Sequence, residues 1–170
     1  QANFKTVKAP TFVVENGITI PAQQRAVPWQ KRALFLAQVT SDKERNFSLM
    51  ANSLLHWGWK VVSAGNWHQS GVKHLGWIND VTPLLKEAGL VIGTGRAIRE
   101  GMALGRAVWI LGAYSDGLIT PDNVELLRLT NFSGRTSRQE FCPKVAAKEL
   151  QEPSPERMQK LGAFGRQYAQ

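Results

Sequence analysis

A single cysteine, Cys142, stands among 170 residues, so no internal disulfide can hold this chain together. It is followed by Pro143 and has no neighbouring His or Cys pattern, so neither a metal nor a nucleophilic role falls to it. No ligand cluster elsewhere suggests a metal site. No apolar run is long enough to cross a bilayer, and the segment opening at Gln1 lacks a charged-then-apolar signal pattern. With no initiator methionine, the chain is expected to be a piece of a longer cytoplasmic protein. Acidic residues are few: 13 against 21 basic ones give a net charge of +8. Polyanions, nucleotide phosphates or an anionic membrane surface therefore suit it as partners, the last as a peripheral contact. The basic residues are scattered rather than clustered with aromatics, which argues against a nucleic-acid surface. What the chain does have is 43% apolar residues on the length of one domain, and six tryptophans. Trp57, Trp59 and Trp109 flank or sit within apolar runs and are expected in the core or at a domain interface.

The stretch from Ala88 to Leu111 organises the rest. Leu90, Val91 and Ile92 form a short apolar run of the kind buried as a parallel strand, and Gly93, Thr94 and Gly95 break it. A helix then starts at Arg96, with Ile98, Met102 and Ala103 or Leu104 at helical spacing. Gly105 supplies a C-cap, and Ala107 to Leu111 reads as the next buried strand. A strand, glycine turn, helix, strand unit leaves backbone N–H groups and the positive end of a helix dipole at the carboxyl edge of a parallel sheet, where phosphates bind. Glu100 sits about one turn into that helix, where its carboxylate can accept two hydrogen bonds from a vicinal diol such as a ribose. Taken alone the pattern is unspecific, because the dipole favours a carboxylate there without any ligand. Gly93 and Gly95 are followed by Gly101, which is not the spacing of a dinucleotide site.

Along the chain, Gln1 to Pro10 reads as a linker, Thr11 to Val14 as a short strand, and Asn16-Gly17 as a turn leading into Ile18 to Ile20. Ala22 to Lys31 reads as a loop and Ala33 to Val39 as a buried strand, followed by a polar turn, Thr40 to Arg45. Phe47, Met50, Ala51, Leu54 and Leu55 give one apolar face to a helix over Asn46 to Trp57. Strands are expected at Lys60 to Ser63 and Val72 to Leu75, then a helix capped by Asp80 or Thr82, with Pro83 in its first turn. Gly112 to Thr120 reads as a mobile loop, and helices follow at Pro121 to Leu129, Glu140 to Gln151 and Glu156 to Tyr168. Alternation of strand and helix over Arg32 to Leu129 predicts an α/β, Rossmann-like doubly wound parallel sheet with helices on both faces. The divisions are 1–31, linker and first strand; 32–152, the Rossmann-like domain; and 153–170, a C-terminal amphipathic helix.

In this order the features resemble the C-terminal, donor-binding domain of a GT-B-fold group 1 glycosyltransferase, the type that moves sugars from nucleotide sugars, as in polysaccharide biosynthesis. That family opens the domain with a strand and Asn-Gly turn, similar to Val13 to Ile18, and its first core strand ends in Gly-Arg with a Lys five residues on. Ala37 and Gln38 replace the Gly and Arg here, and Lys43 falls on the Lys. The family's Leu-Gly-aromatic turn is similar to Leu75-Gly76-Trp77. Its helix signature, Glu-Ala-Met-Ala-x-Gly-x-Pro-Val, is similar to Glu100 through Val108.

The resemblance implies that Glu100 binds the donor ribose and Lys43 the diphosphate. It also implies that Thr94, Gly95, Arg96 and Ala97 offer N–H groups at the helix start, and that Gly76, Trp77 and Ile78 meet the base. No cofactor is implied beyond the nucleotide diphosphate sugar as substrate, and the acceptor site is expected on a missing N-terminal domain. Two departures are visible. A second family Glu, eight positions before the first, is Ile92 here, and the strand-end Arg is Gln38, a lost cation for which Arg96 is the candidate replacement. Read without the family, Lys43 is a surface charge, Arg96 pairs with Glu100 one turn on, and Trp77 packs against the following helix. His68 lies in a loop where a phosphate or sugar would be in reach, and His56 and His74 read as structural. Half of a UDP-sugar 2-epimerase is the alternative enzyme. A degenerate, non-catalytic nucleotide-binding or interaction module is the alternative of another class.

Overall fold

The computed structural model of the chain describes residues 17, 18, 20 and 28–170. The expected linker, the strand at Thr11 to Val14 and the start of the loop at Ala22 lie outside the described residues. From there the chain runs β1 (Arg32–Ala37), α1 (Ser41–His56), β2 (Lys60–Gly65), β3 (Lys73–His74), α2 (Thr82–Glu87), β4 (Leu90–Gly93) and α3 (Arg96–Ala103). It continues through β5 (Ala107–Leu111), β6 (Ser115–Leu118), α4 (Val124–Leu129), α5 (Pro143–Leu150) and α6 (Pro155–Ala169).

The strands form one sheet in the order β3-β2-β1-β4-β5-β6, parallel except for β6. Side chains alternate across it, and each alternate set is apolar. Ala33, Phe35, Leu90, Ile92, Trp109 and Leu111 join one core with α1 and α5. Leu34, Val62, Val91, Val108 and Ile110 join the other with α2, α3 and α4. A strand buried on both faces is apolar at nearly every position, which is why these runs carry no polar alternation. The structure therefore bears out the doubly wound, Rossmann-like α/β fold.

Two elements differ from the sequence reading. Helix α1 begins at Ser41, five residues before the expected start at Asn46, because Asp42 and Glu44 in its first turn suit the positive end of the dipole. The stretch expected as a mobile loop holds β6, paired antiparallel with β5 in the register Trp109↔Leu118 and Ile110↔Gly117. Only Leu118 of its four residues is buried, so this edge strand lacks the pattern that announces one. Its register is secured from outside the segment, by the ladder and by Trp109 Nε1 donating to Ser115 Oγ at 3.0 Å.

Helix α6, the C-terminal amphipathic helix of the sequence reading, lies along α3. Met158, Gly162 and Gly165 are buried, and Phe164 and Tyr168 pack on the α3 side of the core. The approach is close enough that a Cβ on Gly162 would sit 2.1 Å from the Gly105 carbonyl oxygen. Arg166 Nη1 donates to the Ala103 carbonyl at 2.7 Å, satisfying one of the last acceptors of α3.

Candidate functional site

The order 3-2-1-4 means that successive strands first build outward from β1 on one side and then resume on its other side. Loops leaving β1 and β4 therefore diverge and open a crevice at the carboxyl ends of the strands. A groove of about 640 Å³ occupies that position, within the roughly 300–1,000 Å³ typical of small-molecule sites. It runs from Gln38 and Lys43 after β1, past Gly65 and Thr94, to Trp77, Arg96 and Glu100. A second cavity of about 290 Å³ shares Asn79, Val81, Arg96 and Glu100 with it and extends the groove towards α2.

Close backbone approach builds the floor. A Cβ on Gly93 would lie 2.5 Å from the Leu36 carbonyl oxygen, so only glycine lets β4 end this near β1. Gly95, the N-cap of α3, has φ 55° and ψ −114°, a conformation for glycine alone, and no described side chain caps the helix. The start of α3 is thus left open towards the groove, with its dipole uncompensated there. The turn is nevertheless not a row of four free donors. The N–H of Gly95 donates to the Phe132 carbonyl at 2.9 Å, and that of Ala97 to Thr94 at 3.3 Å. Of the residues expected to offer N–H groups, Thr94, Arg96 and Ala97 line the groove, and Gly95 serves to shape the turn.

Glu100 and Arg96 face each other across one helical turn, with Arg96 Nε donating to Glu100 Oε1 at 2.7 Å. Their surroundings differ: the arginine side chain is 81% exposed and the glutamate 21%. The carboxylate beside it raises the guanidinium's pKa further, by hydrogen bond first and charge second. Glu100 thus stands in the wall with an exposed cation over it. Lys43 Nζ donates to the Gln38 carbonyl at 3.2 Å, which folds the side chain back over the end of β1 and into the groove. Lys43 also sits beside Asp42, whose carboxyl pKa is lowered chiefly by the Thr40 hydroxyl, with Lys43 and Arg135 adding charge.

Trp77 is 71% exposed, so the expectation that it packs on the following helix is overturned: it stands with Ile78 at the mouth of the groove. The positive φ of Gly76, 68°, turns the chain there, and its carbonyl takes the Gly65 N–H at 2.8 Å, which places the Trp77-Ile78 pair without Gly76 itself lining the groove. His74 Nδ1 shares a hydrogen bond with the buried Ser63 hydroxyl at 3.0 Å, and His68 lies against the His74 ring away from the groove. Ile92 is fully buried within β4. Among the described residues no group of three His, Cys, Asp or Glu side chains gathers to hold a metal ion, and no helix is long and apolar enough to cross a membrane.

Sequence reasoning missed Asn66, which directly follows the groove residue Gly65 and ties the end of β2 to the loop after β1. Its Oδ1 accepts the Val39 N–H at 2.7 Å and its Nδ2 donates to the Val39 carbonyl at 2.8 Å, fixing the loop that carries Gln38 towards Lys43. Trp67 holds Asn66 in turn, packed on Phe35 and Phe47 with ring centroids 5.3 and 5.7 Å away. The one available signal is an amide at a strand's carboxyl end, directly after Gly65.

No family model and no curated protein matches this sequence. Among solved structures, S. aureus TarM, crystallised as a variant with fondaparinux, α-GlcNAc-glycerol and UDP, superposes with a TM-score of 0.50 at 14% identity. The match covers 91% of this chain and 39% of that one. A second TarM structure superposes with a TM-score of 0.46 at 13% identity, over 87% of this chain and 38% of that one. The chain therefore spans about two fifths of TarM's length. At this identity the likeness shows the fold, a Rossmann-like α/β sheet of the kind that makes one half of a GT-B glycosyltransferase.

Proposed function

We propose that this chain is the donor-binding part of a glycosyltransferase: it holds a nucleotide diphosphate sugar while a second domain presents the acceptor. The observation that carries this reading is the meeting of Glu100, Lys43, Arg96 and the uncapped start of α3 in one groove at the switch point of the sheet. A carboxylate suited to a ribose diol thus stands beside cations and a helix N-terminus suited to the diphosphate. Trp77 and Ile78 at the mouth give a base an apolar surface. That TarM, a protein of the same fold, was crystallised with UDP supports the choice of ligand class.

In this reading the chain's own contribution to sugar transfer is electrostatic. Lys43, Arg96 and the first turn of α3 stabilise the charge that grows on the departing diphosphate, as an oxyanion site does. The acceptor hydroxyl and any base acting on it belong to the other domain, so the chain by itself binds donor without turnover. A non-catalytic nucleotide-binding module is the second reading, favoured by Ile92, which puts a buried aliphatic group where the family carries a sugar-binding carboxylate.

Calorimetric titration with UDP, GDP and ADP tests the proposal. One of them should bind at micromolar to millimolar strength, and Glu100→Ala should weaken it. Absence of binding by all three to the folded chain would count against a nucleotide site. Sugar transfer by the chain alone would refute the division of labour.

A further inference from the structure

Helix α4 ends in a way that reaches the turn before α3. Its last turn closes with the Asn131 N–H donating to the Arg128 carbonyl at 2.8 Å and the Phe132 N–H to the Leu127 carbonyl at 3.0 Å. That pair of bonds is the Schellman C-cap, in which the residue after the cap is left-handed. Asn131, at φ 55°, meets the requirement with a residue that tolerates it. The cap does not explain Phe132, a bulky residue that is left-handed as well, at φ 53°. Such a conformation persists only where the surroundings over-determine it. Here they do: the Phe132 ring is buried, and the Arg99 guanidinium of α3 lies 5.6 Å from its centroid. Arg99 also donates to Asn131 Oδ1 at 2.8 Å. The consequence of the second left-handed residue is the direction of one carbonyl, that of Phe132, which takes the N–H of Gly95.

We propose that the C-cap of α4 is a positioning element for the groove, in which Asn131 and Phe132 hold Gly95 in its glycine-only conformation and so aim Thr94, Arg96 and the start of α3 at the diphosphate. This rests on the nucleotide reading above. The cap grips the first turn of α3 from two sides, by the Phe132 carbonyl on Gly95 and by Arg99 on Asn131 and the Phe132 ring. Asn131 and Phe132 act through Gly95 and are not ligand contacts. The groove's phosphate end therefore depends on a helix more than thirty residues further along the chain.

The test uses the whole 170-residue chain, with UDP and uridine as probes and amide hydrogen exchange as the second readout. Asn131→Val forces a β-branched residue into the left-handed position, whereas Asn131→Gly keeps the cap. Asn131→Val should speed exchange of the Gly95 amide at least tenfold and weaken UDP at least fivefold, with uridine changed less than twofold. Asn131→Gly keeps the backbone cap but loses the Arg99 bond to Oδ1, so both values should fall between wild type and Asn131→Val. Unchanged Gly95 exchange in a folded Asn131→Val chain would overturn the proposal, as would equal losses for UDP and uridine. Should Asn131→Val fail to fold, wild-type exchange in mild urea decides: the Gly95 amide should open together with those of Asn131 and Phe132, and independent opening overturns the coupling. A wild-type chain that binds neither probe refutes the nucleotide reading and the phosphate role together, while the exchange result still decides whether the cap holds Gly95.

Discussion

The two ends of α3 have opposite characters. At its start Arg96 is mostly exposed, Glu100 stands half-buried in the groove wall, and no described side chain caps the helix. At its end Met102 and Ala103 are buried, α6 crosses at a glycine-to-glycine contact, and Arg166 closes an acceptor. Between them Gly101 lies where a Cβ would come within 2.8 Å of Val108 and 3.2 Å of Val91. The comparison shows how one eight-residue helix serves both fold and site. Packing at one end fixes its direction, so the other end can keep polar groups that contribute little to stability.

The largest test of this division is Gly162→Val. Its side chain has no space against the Gly105 carbonyl, and the overpacking should cost about 3 kcal/mol, read as a lower urea midpoint. At the other end Glu100→Ala should leave that midpoint nearly unchanged and weaken nucleotide binding by roughly tenfold to a hundredfold, the loss of about 1.5–3 kcal/mol for hydrogen bonds to a charged group. A large loss of stability in Glu100→Ala would break the comparison. Arg166→Ala removes a hydrogen bond from the packed end and should lower stability by about 1 kcal/mol. Nucleotide affinity measured on the same variant should not move.

Smaller effects sharpen the contrast. Arg96→Ala should leave the melting temperature alone, since an exposed pair contributes little, yet weaken UDP roughly threefold and reduce the dependence of its affinity on salt. Unaltered UDP affinity would remove Arg96 from the phosphate site. The smallest concerns Asp80 at the start of α2, whose carboxyl pKa is lowered by hydrogen bonds from Thr82. A lowered folded-state pKa contributes stability that is full above the ordinary 3.8 and is lost as pH falls through the folded-state pKa. The difference in melting temperature between wild type and Asp80→Asn should therefore be present at pH 7 and disappear in acid, while nucleotide binding at pH 7 is unaffected.

The sequence was legible where a local rule and the fold agree. Leu90 to Ile92, the glycine turn and the periodic apolar positions of α3 announce a strand-turn-helix unit, and every strand buried on two faces shows as an apolar run. Glu100, Lys43, Arg96 and Trp77 were each nameable because each follows a strand that the sequence marks, and topology then gathers the ends of such strands. Strand β6 was not legible, because an edge strand with one buried residue has almost no apolar pattern and takes its register from β5.

By itself the sequence determined the doubly wound sheet and which loops carry polar side chains to its carboxyl edge, since both follow from hydrophobic period and chain order. Tertiary structure alone decided that α6 covers α3, that Trp77 stands free, that Asn66 ties down Val39, and that the Phe132 carbonyl claims the Gly95 N–H. Each of these joins residues distant in sequence or depends on the direction of a single carbonyl or ring. Neither composition nor spacing encodes such a direction, because it is set by what the remainder of the fold leaves unfilled or unpaired.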